Sequence, residues 1–192
     1  MRSPDLVGVV LAGGASRRMG RDKATLEVEG ETLVARAARK LAAVTGEVLL
    51  ADGGRKLLGD LVPSIADGPG TGPAAGLLGA ALARPATALL VLACDLPRVP
   101  VPLLELLAHE APEADLLVPR WRRGIEPLCA RWRRPALDVL ARRVAVDQLD
   151  LHGVFDAPEL RAVALEGAAL EALGDPGILF ANVNTPQDVE AL

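Results

Sequence analysis

The residues of this sequence that could do chemistry gather at a few places. The first is Leu11-Ala12-Gly13-Gly14-Ala15-Ser16-Arg17-Arg18-Met19-Gly20-Arg21-Asp22-Lys23, directly after an apolar run. Glycines there let a backbone approach a ligand and aim its N–H groups at phosphate. Arg18 and Lys23 would neutralise a polyphosphate, and Arg17 reads as solvent-facing. The spacing fits neither G-x-G-x-x-G nor G-x-x-x-x-G-K-S/T, so the alternative is an ordinary turn between a strand and a helix. Lysine is scarce, three against 18 arginines. Lys40 and Lys56 read as solvated surface residues, which leaves Lys23 as the point charge for a phosphate.

Asp95, in Cys94-Asp95-Leu96-Pro97, ends the most apolar run. A carboxylate there is costly to bury unless it faces a cleft or has a partner. A Mg2+ ion held by one carboxylate and by substrate phosphates suits it; a helix cap before Pro97 is the alternative. Asp67 heads a second glycine-rich stretch running to Pro73, as an acceptor for a ligand's N–H and hydroxyl groups or as an Asx-turn before Gly68. Asn182 and Asn184 are the only asparagines. On a strand they share a face; capping before a last helix is the alternative. Residues 120–134 hold six Arg, one Glu and both Trp. That is a basic patch for a small anionic ligand with Trp121 and Trp132 as stacking surfaces, or a solvated arginine hairpin with core tryptophans.

Several chemistries are excluded. Cys94 and Cys129 form no CxxC pair and His109 and His152 are isolated, against a zinc site of usual spacing. Two cysteines build no disulfide framework, so a reducing compartment is expected. A net charge of −4 argues against nucleic acid as a partner. The apolar runs are strand-length, and no signal-peptide core follows Met1-Arg2-Ser3-Pro4-Asp5. The expectation is a soluble cytoplasmic protein without a membrane partner, with residues 1–192 forming a single domain.

Positioning these groups requires elements, and apolar runs alternate with helical spacing along the chain. Strands are predicted at Leu6–Leu11, Glu47–Ala51, Val62–Ala66, Thr87–Ala93, Asp115–Pro119 and Ile178–Val183. Helices are predicted at Glu31–Val44 (stopped by Gly46), Ala74–Ala83, Val101–His109 and Pro135–Arg143. Ile125–Trp132 reads as a further, antiparallel strand, and residues 144–176 give no clear pattern. Thr185 caps a last helix that Pro186 begins. Such alternation predicts a three-layer α/β/α fold around a mainly parallel, Rossmann-like sheet with a small antiparallel addition in the second half. A ligand then sits outside the carboxyl ends of the strands.

The motifs resemble those of the molybdenum cofactor guanylyltransferase family, within the nucleotidyltransferases. Leu11–Lys23 matches L-A-G-G-x-x-x-R-M-G-x-D-K at each fixed position. Asp67–Leu77 resembles the family's G-P-L-A-G-L stretch, with Ala74 where Leu is common. Cys94–Pro97 resembles C-D-x-P, and Glu126-Pro127-Leu128 falls at a P-L pair. Phe180–Pro186 resembles F-x-N-x-N-T-P, which separates this family from sugar nucleotidyltransferases.

The resemblance implies GTP contacts at Leu11, Ala12, Gly13, Gly14, Lys23, Asp52, Asp67 and Asp95. Asp52 stands where some members have an Asn that touches the nucleotide. Arg18, Lys23 and Asp95 would be catalytic, with Mg2+ on Asp95. Arg143, Asn182 and Asn184 would meet molybdopterin. The implied activity is attack of the terminal phosphate of molybdopterin on the α-phosphorus of Mg-GTP, with other cofactor-biosynthesis proteins or molybdoenzymes as partners. A cytidylyltransferase of the same cofactor, a sugar-phosphate nucleotidyltransferase and a non-catalytic nucleotide-binding protein that delivers cofactor are the rival readings.

Overall fold

A computed structural model of the chain describes residues 3–13, 23–85 and 88–190. In chain order its strands are β1 (Ser3–Leu11), β2 (Glu27–Val28), β3 (Glu31–Thr32), β4 (Thr45–Ala51), β5 (Ser64–Ile65), β6 (Ala88–Ala93), β7 (Leu116–Trp121), β8 (Gly124–Ile125), β9 (Cys129–Arg133) and β10 (Ala162–Leu165). Its α-helices are α1 (Leu33–Ala42), α2 (Gly72–Ala83), α3 (Val101–His109), α4 (Arg134–Val144), α5 (His152–Phe155), α6 (Ala168–Glu171), α7 (Pro176–Leu179) and α8 (Pro186–Glu190), and a 3-10 turn spans Lys23–Thr25.

The main sheet runs β10-β7-β9-β6-β1-β4-β5, with β8 folded back on β7. β1 pairs in parallel with β4 and with β6, which sets Leu11 level with Ala51 and Ala93. Val9, Val10, Leu49, Leu50, Leu90 and Val91 are completely buried, as strands covered on both faces require. α1 and α3 pack on one face and α2 and α4 on the other, which gives the three expected layers. β9 is the expected antiparallel strand, set between β6 and β7 and opposed to both. β8 and β9 are separate because Pro127 interrupts the run, having no N–H for a ladder.

Local chemistry explains where the elements stop. Thr32 caps α1 by accepting a hydrogen bond from the Ala35 N–H (3.3 Å). Gly46 does not stop this helix but lies within β4; the Thr45 hydroxyl satisfies the Leu41 carbonyl (3.0 Å) where the chain turns. α2 is buried nearly all round because the second glycine-rich stretch lies on it. The Gly68 N–H binds the Ala75 carbonyl (2.8 Å), and a Cβ on Gly79 would collide with the Ala66 carbonyl.

Three other expectations are corrected. Val62–Ala66 contributes only the short β5. Ile178–Val183 is not a strand: Asp175 caps α7 through the Gly177 N–H (2.8 Å) with Pro176 behind it, and that helix takes Ile178 and Leu179. The basic run at 120–134 is not one surface patch. Arg131 is 2% exposed and closes the end of α3 by donating to the carbonyls of Leu107 (3.0 Å), Ala108 (3.1 Å) and Ala111 (2.6 Å). Trp132 is fully buried, its indole N–H on the Pro127 carbonyl (3.1 Å). No helix among the described residues is long and apolar enough to cross a membrane.

Candidate active site

The chain leaves β1 through α1 to β4 on one side and returns through α2 to β6 on the other. This reversal opens a cleft at the carboxyl ends of β1, β4 and β6. The cleft is narrow, about 90 Å³, less than the usual range for a site that encloses a whole small molecule. Leu11 and Gly13 line it. The Ala12 N–H is fixed to the Ala51 carbonyl (3.0 Å). An added Cβ on Gly13 would meet nothing within 4 Å, so its backbone is open to a ligand.

Lys23 and Asp95 meet at this cleft. Lys23 Nζ lies 2.6 Å from Asp95 Oδ2, with the two side chains 20% and 14% exposed. The ammonium also donates to Asn184 Oδ1 (3.3 Å). Asp95 Oδ1 is buried and has no hydrogen-bond partner. A desolvated carboxylate oxygen in a cleft is an acceptor awaiting a cation or a donor. Among the described residues no three His, Cys, Asp or Glu side chains converge. A hard divalent ion here would therefore draw its remaining ligands from a substrate or water.

The C-terminal segment closes one side. The Val183 N–H binds the Asp95 carbonyl (2.9 Å). Val183 turns inward while Asn182 and Asn184 are exposed, so the two amides share a side of an extended segment without belonging to a strand. Asn184 is fixed by Asp188, whose Oδ2 accepts from the N–H groups of Asn184 and Thr185 (2.8 Å each). The Thr185 hydroxyl accepts from the Asp188 N–H (3.1 Å), the cap expected for α8. These backbone donors hold the Asp188 carboxyl below its ordinary range.

Asp67 lines the cleft and is exposed. The Asx-turn alternative does not form: it needs the N–H two residues on, which Pro69 lacks, and the Gly68 N–H goes to the Ala75 carbonyl. Asp52 behaves otherwise than expected. It is 1% exposed. Its oxygens accept from the N–H groups of Gly54 (3.0 Å), Arg55 (3.1 Å) and Leu57 (2.9 Å), and from the Ser64 hydroxyl. It shapes the loop after β4 rather than facing a nucleotide. Arg143 lies at the junction of α4 and α5, beside Asp150 (3.4 Å), and does not line the cleft. Gly14 and Arg18 lie outside the described residues.

Three residues near the site were missed by the sequence reading. The Arg55 guanidinium donates to the Asp52 carbonyl (2.7 Å) and to the Ala12 carbonyl, tying two loops together. The Glu126 carboxyl is raised by burial and then by the negative charge of Asp95. Its isolation as the one acid among six arginines was the available signal. Lys40, read as solvated, is 9% exposed. Burial, with repulsion from Arg36 and Arg39, lowers its ammonium to about 8.

A switch-point cleft with an open glycine backbone, a lysine and a carboxylate oxygen without a partner could hold the phosphates of a nucleotide. The chain belongs to the MobA-like NTP transferase domain family, whose model matches residues 8–158, and it is accordingly a nucleotidyltransferase. A probable molybdenum cofactor guanylyltransferase from Pelotomaculum thermopropionicum is 33% identical over 190 residues, 95% of this chain and 89% of that one. The molybdenum cofactor guanylyltransferase of Rhodobacter capsulatus is 34% identical over 194 residues, 96% of this chain and 93% of that one. The crystal structure of molybdopterin-guanine dinucleotide biosynthesis protein A from Archaeoglobus fulgidus matches with a TM-score of 0.79 at 26% identity, covering 96% of this chain and 95% of that one.

Proposed function

We propose that this nucleotidyltransferase acts in molybdenum cofactor biosynthesis, transferring GMP from Mg-GTP to the terminal phosphate of molybdopterin. The observation that carries the reading is the Lys23–Asp95 pair at the switch-point cleft, with Asp95 Oδ1 buried and unpartnered. The names of the relatives supply the substrates. A phosphate monoester has a second pKa of about 6 and is mostly ionised at neutral pH, so its oxygen needs no general base. That oxygen bonds to the α-phosphorus as the bond to the β-phosphate bridge breaks, and pyrophosphate leaves with the electron pair. What remains for the chain is positioning and charge neutralisation.

Asp95 is the residue that would hold Mg2+, which when bound supplies positive charge to the triphosphate. Lys23 offers its ammonium to a phosphate oxygen. Asn184 orients Lys23, and Gly13 presents its backbone to the nucleotide. Asp67 accepts from the guanine edge or from a ribose hydroxyl. Asn182, on the same side as Asn184, faces the second substrate. Arg18 adds charge from the first loop, and Arg143 is the more remote contact for the cofactor.

The test is pyrophosphate release on mixing molybdopterin with GTP or CTP and Mg2+. Release with GTP, and loss of it in Asp95→Ala with the fold intact, is the expected outcome. A clear preference for CTP overturns the guanylyl assignment. Tight GTP binding without release indicates a cofactor-delivery protein.

A further inference from the structure

Lys40 is a cation buried without a carboxylate. Its Nζ donates to the carbonyls of Pro97 (2.6 Å) and Val99 (2.7 Å), and it makes no ion pair among the described residues. Glu31 and, from β9, the Cys129 thiol favour its charge; Arg36 and Arg39 oppose it from its own helix. A side chain held this way is there for what it grips. The gripped segment is the loop that begins at Asp95.

Leu96 and Val99 of that loop are buried in the core, and its main chain is tied at further points. The Cys94 N–H goes to the Leu11 carbonyl (3.1 Å), and the Asp95 carbonyl receives Val183. The N–H groups of Leu96 and Val99 make local turns, to the carbonyls of Ala93 (3.2 Å) and Leu96 (3.3 Å). The opposite end of the same helix holds the other half of the pair: the Leu33 N–H binds the Leu26 carbonyl (2.9 Å), and the Leu26 N–H binds the Lys23 carbonyl (3.1 Å). One helix thus touches the Lys23 turn with its first residue and the Asp95 loop with a residue of its last turn.

We propose that Lys40 is a positioning residue for the nucleotidyl transfer: through it, α1 acts as a strut that sets where the Asp95 carboxylate stands relative to Lys23. The proposal rests on the reading of Asp95 as the metal-holding carboxylate.

Lys40→Met keeps the side chain's length and removes its donors. Lys40→Arg keeps a cation but places a larger group where the ammonium fits between two carbonyls. Pyrophosphate release is measured against Mg2+ at pH 7, well below each variant's unfolding midpoint, and Mg2+ binding with a non-hydrolysable GTP analogue present is measured alongside by calorimetry. In Lys40→Met the half-saturating Mg2+ is expected to rise about 10- to 100-fold with a fall in kcat, the scale of a displaced catalytic group. The KM for GTP at saturating Mg2+ should stay within about twofold of wild type, because no nucleotide contact is removed. Lys40→Arg is expected to fall between the two, and it decides alone should the Met variant fail to fold. A wild-type Mg2+ dependence in either folded variant overturns the proposal and leaves Lys40 a stability residue. Asp95→Asn run alongside separates the two readings: wild-type Mg2+ dependence there removes the metal assignment itself, whatever the Lys40 variants do.

Discussion

At the scale of residues, Lys23 and Asp95 balance each other in the cleft, and a nucleotide with its metal would draw them apart. The ammonium is then left to the phosphates, and Asn184 limits where it can point. Lys23→Met is expected to cut the rate of pyrophosphate release by about 10²- to 10³-fold, the usual loss for one preorganised charge donor. Asn184→Ala, which removes one neutral acceptor, should cost about 3- to 10-fold. Steady-state rates, with circular dichroism to verify folding, check both. These residues were legible in the sequence because each was rare or ended an apolar run. Lys40 was not. Rarity marks Lys23 and Lys40 alike, and only the packing of α1 over the loop after β6 shows that one faces a cleft and the other two buried carbonyls.

The elements tell a similar story at larger spacing. Core strands and the four longer helices announced themselves by periodicity, and α3 falls on its predicted bounds. The segment after α4 did not, because its short helices and β10 take their shape from what they dock against. Within residues 120–134 the same reason hid Arg131: Arg120, Arg122, Arg123 and Arg134 are exposed and Trp132 is the core tryptophan of the second reading, but β9 runs between β6 and β7. There Arg131 becomes the cap of α3, a helix to which it is not adjacent in sequence. Arg131→Met is expected to destabilise the fold by about 2–4 kcal/mol, since three carbonyls lose a charged donor. The urea midpoint reads this, and the kinetic constants of the remaining folded protein should not change.

For the whole molecule, titration in alkali is unusually simple, because the chain has no tyrosine and three lysines. Lys40 is held at about 8 against 10.5 in an unfolded chain. Below pH 8 both states carry the proton and the folded state bears the full burial penalty. Between about 8 and 10.5 the unfolded chain binds more protons, so stability rises with pH, by at most about 1.4 kcal/mol per unit. Cys129 opposes this: burial pushes its thiol well above its ordinary 9.0, so stability falls once the unfolded thiol ionises. Unfolding midpoints are expected to rise from pH 7 to 9 and then level. Cys129→Ala should extend the rise, and Lys40→Met should abolish it.

The pair at the centre of the cleft joins positions 72 apart, and its amide partner stands 161 positions from Lys23. During synthesis the central strand β1 is made long before Asn184 and the Val183 clasp on Asp95. A nascent chain therefore has its sheet long before its cleft is furnished. A nucleotide would meet the furnished cleft only after Asn184 has left the ribosome and closed on Lys23.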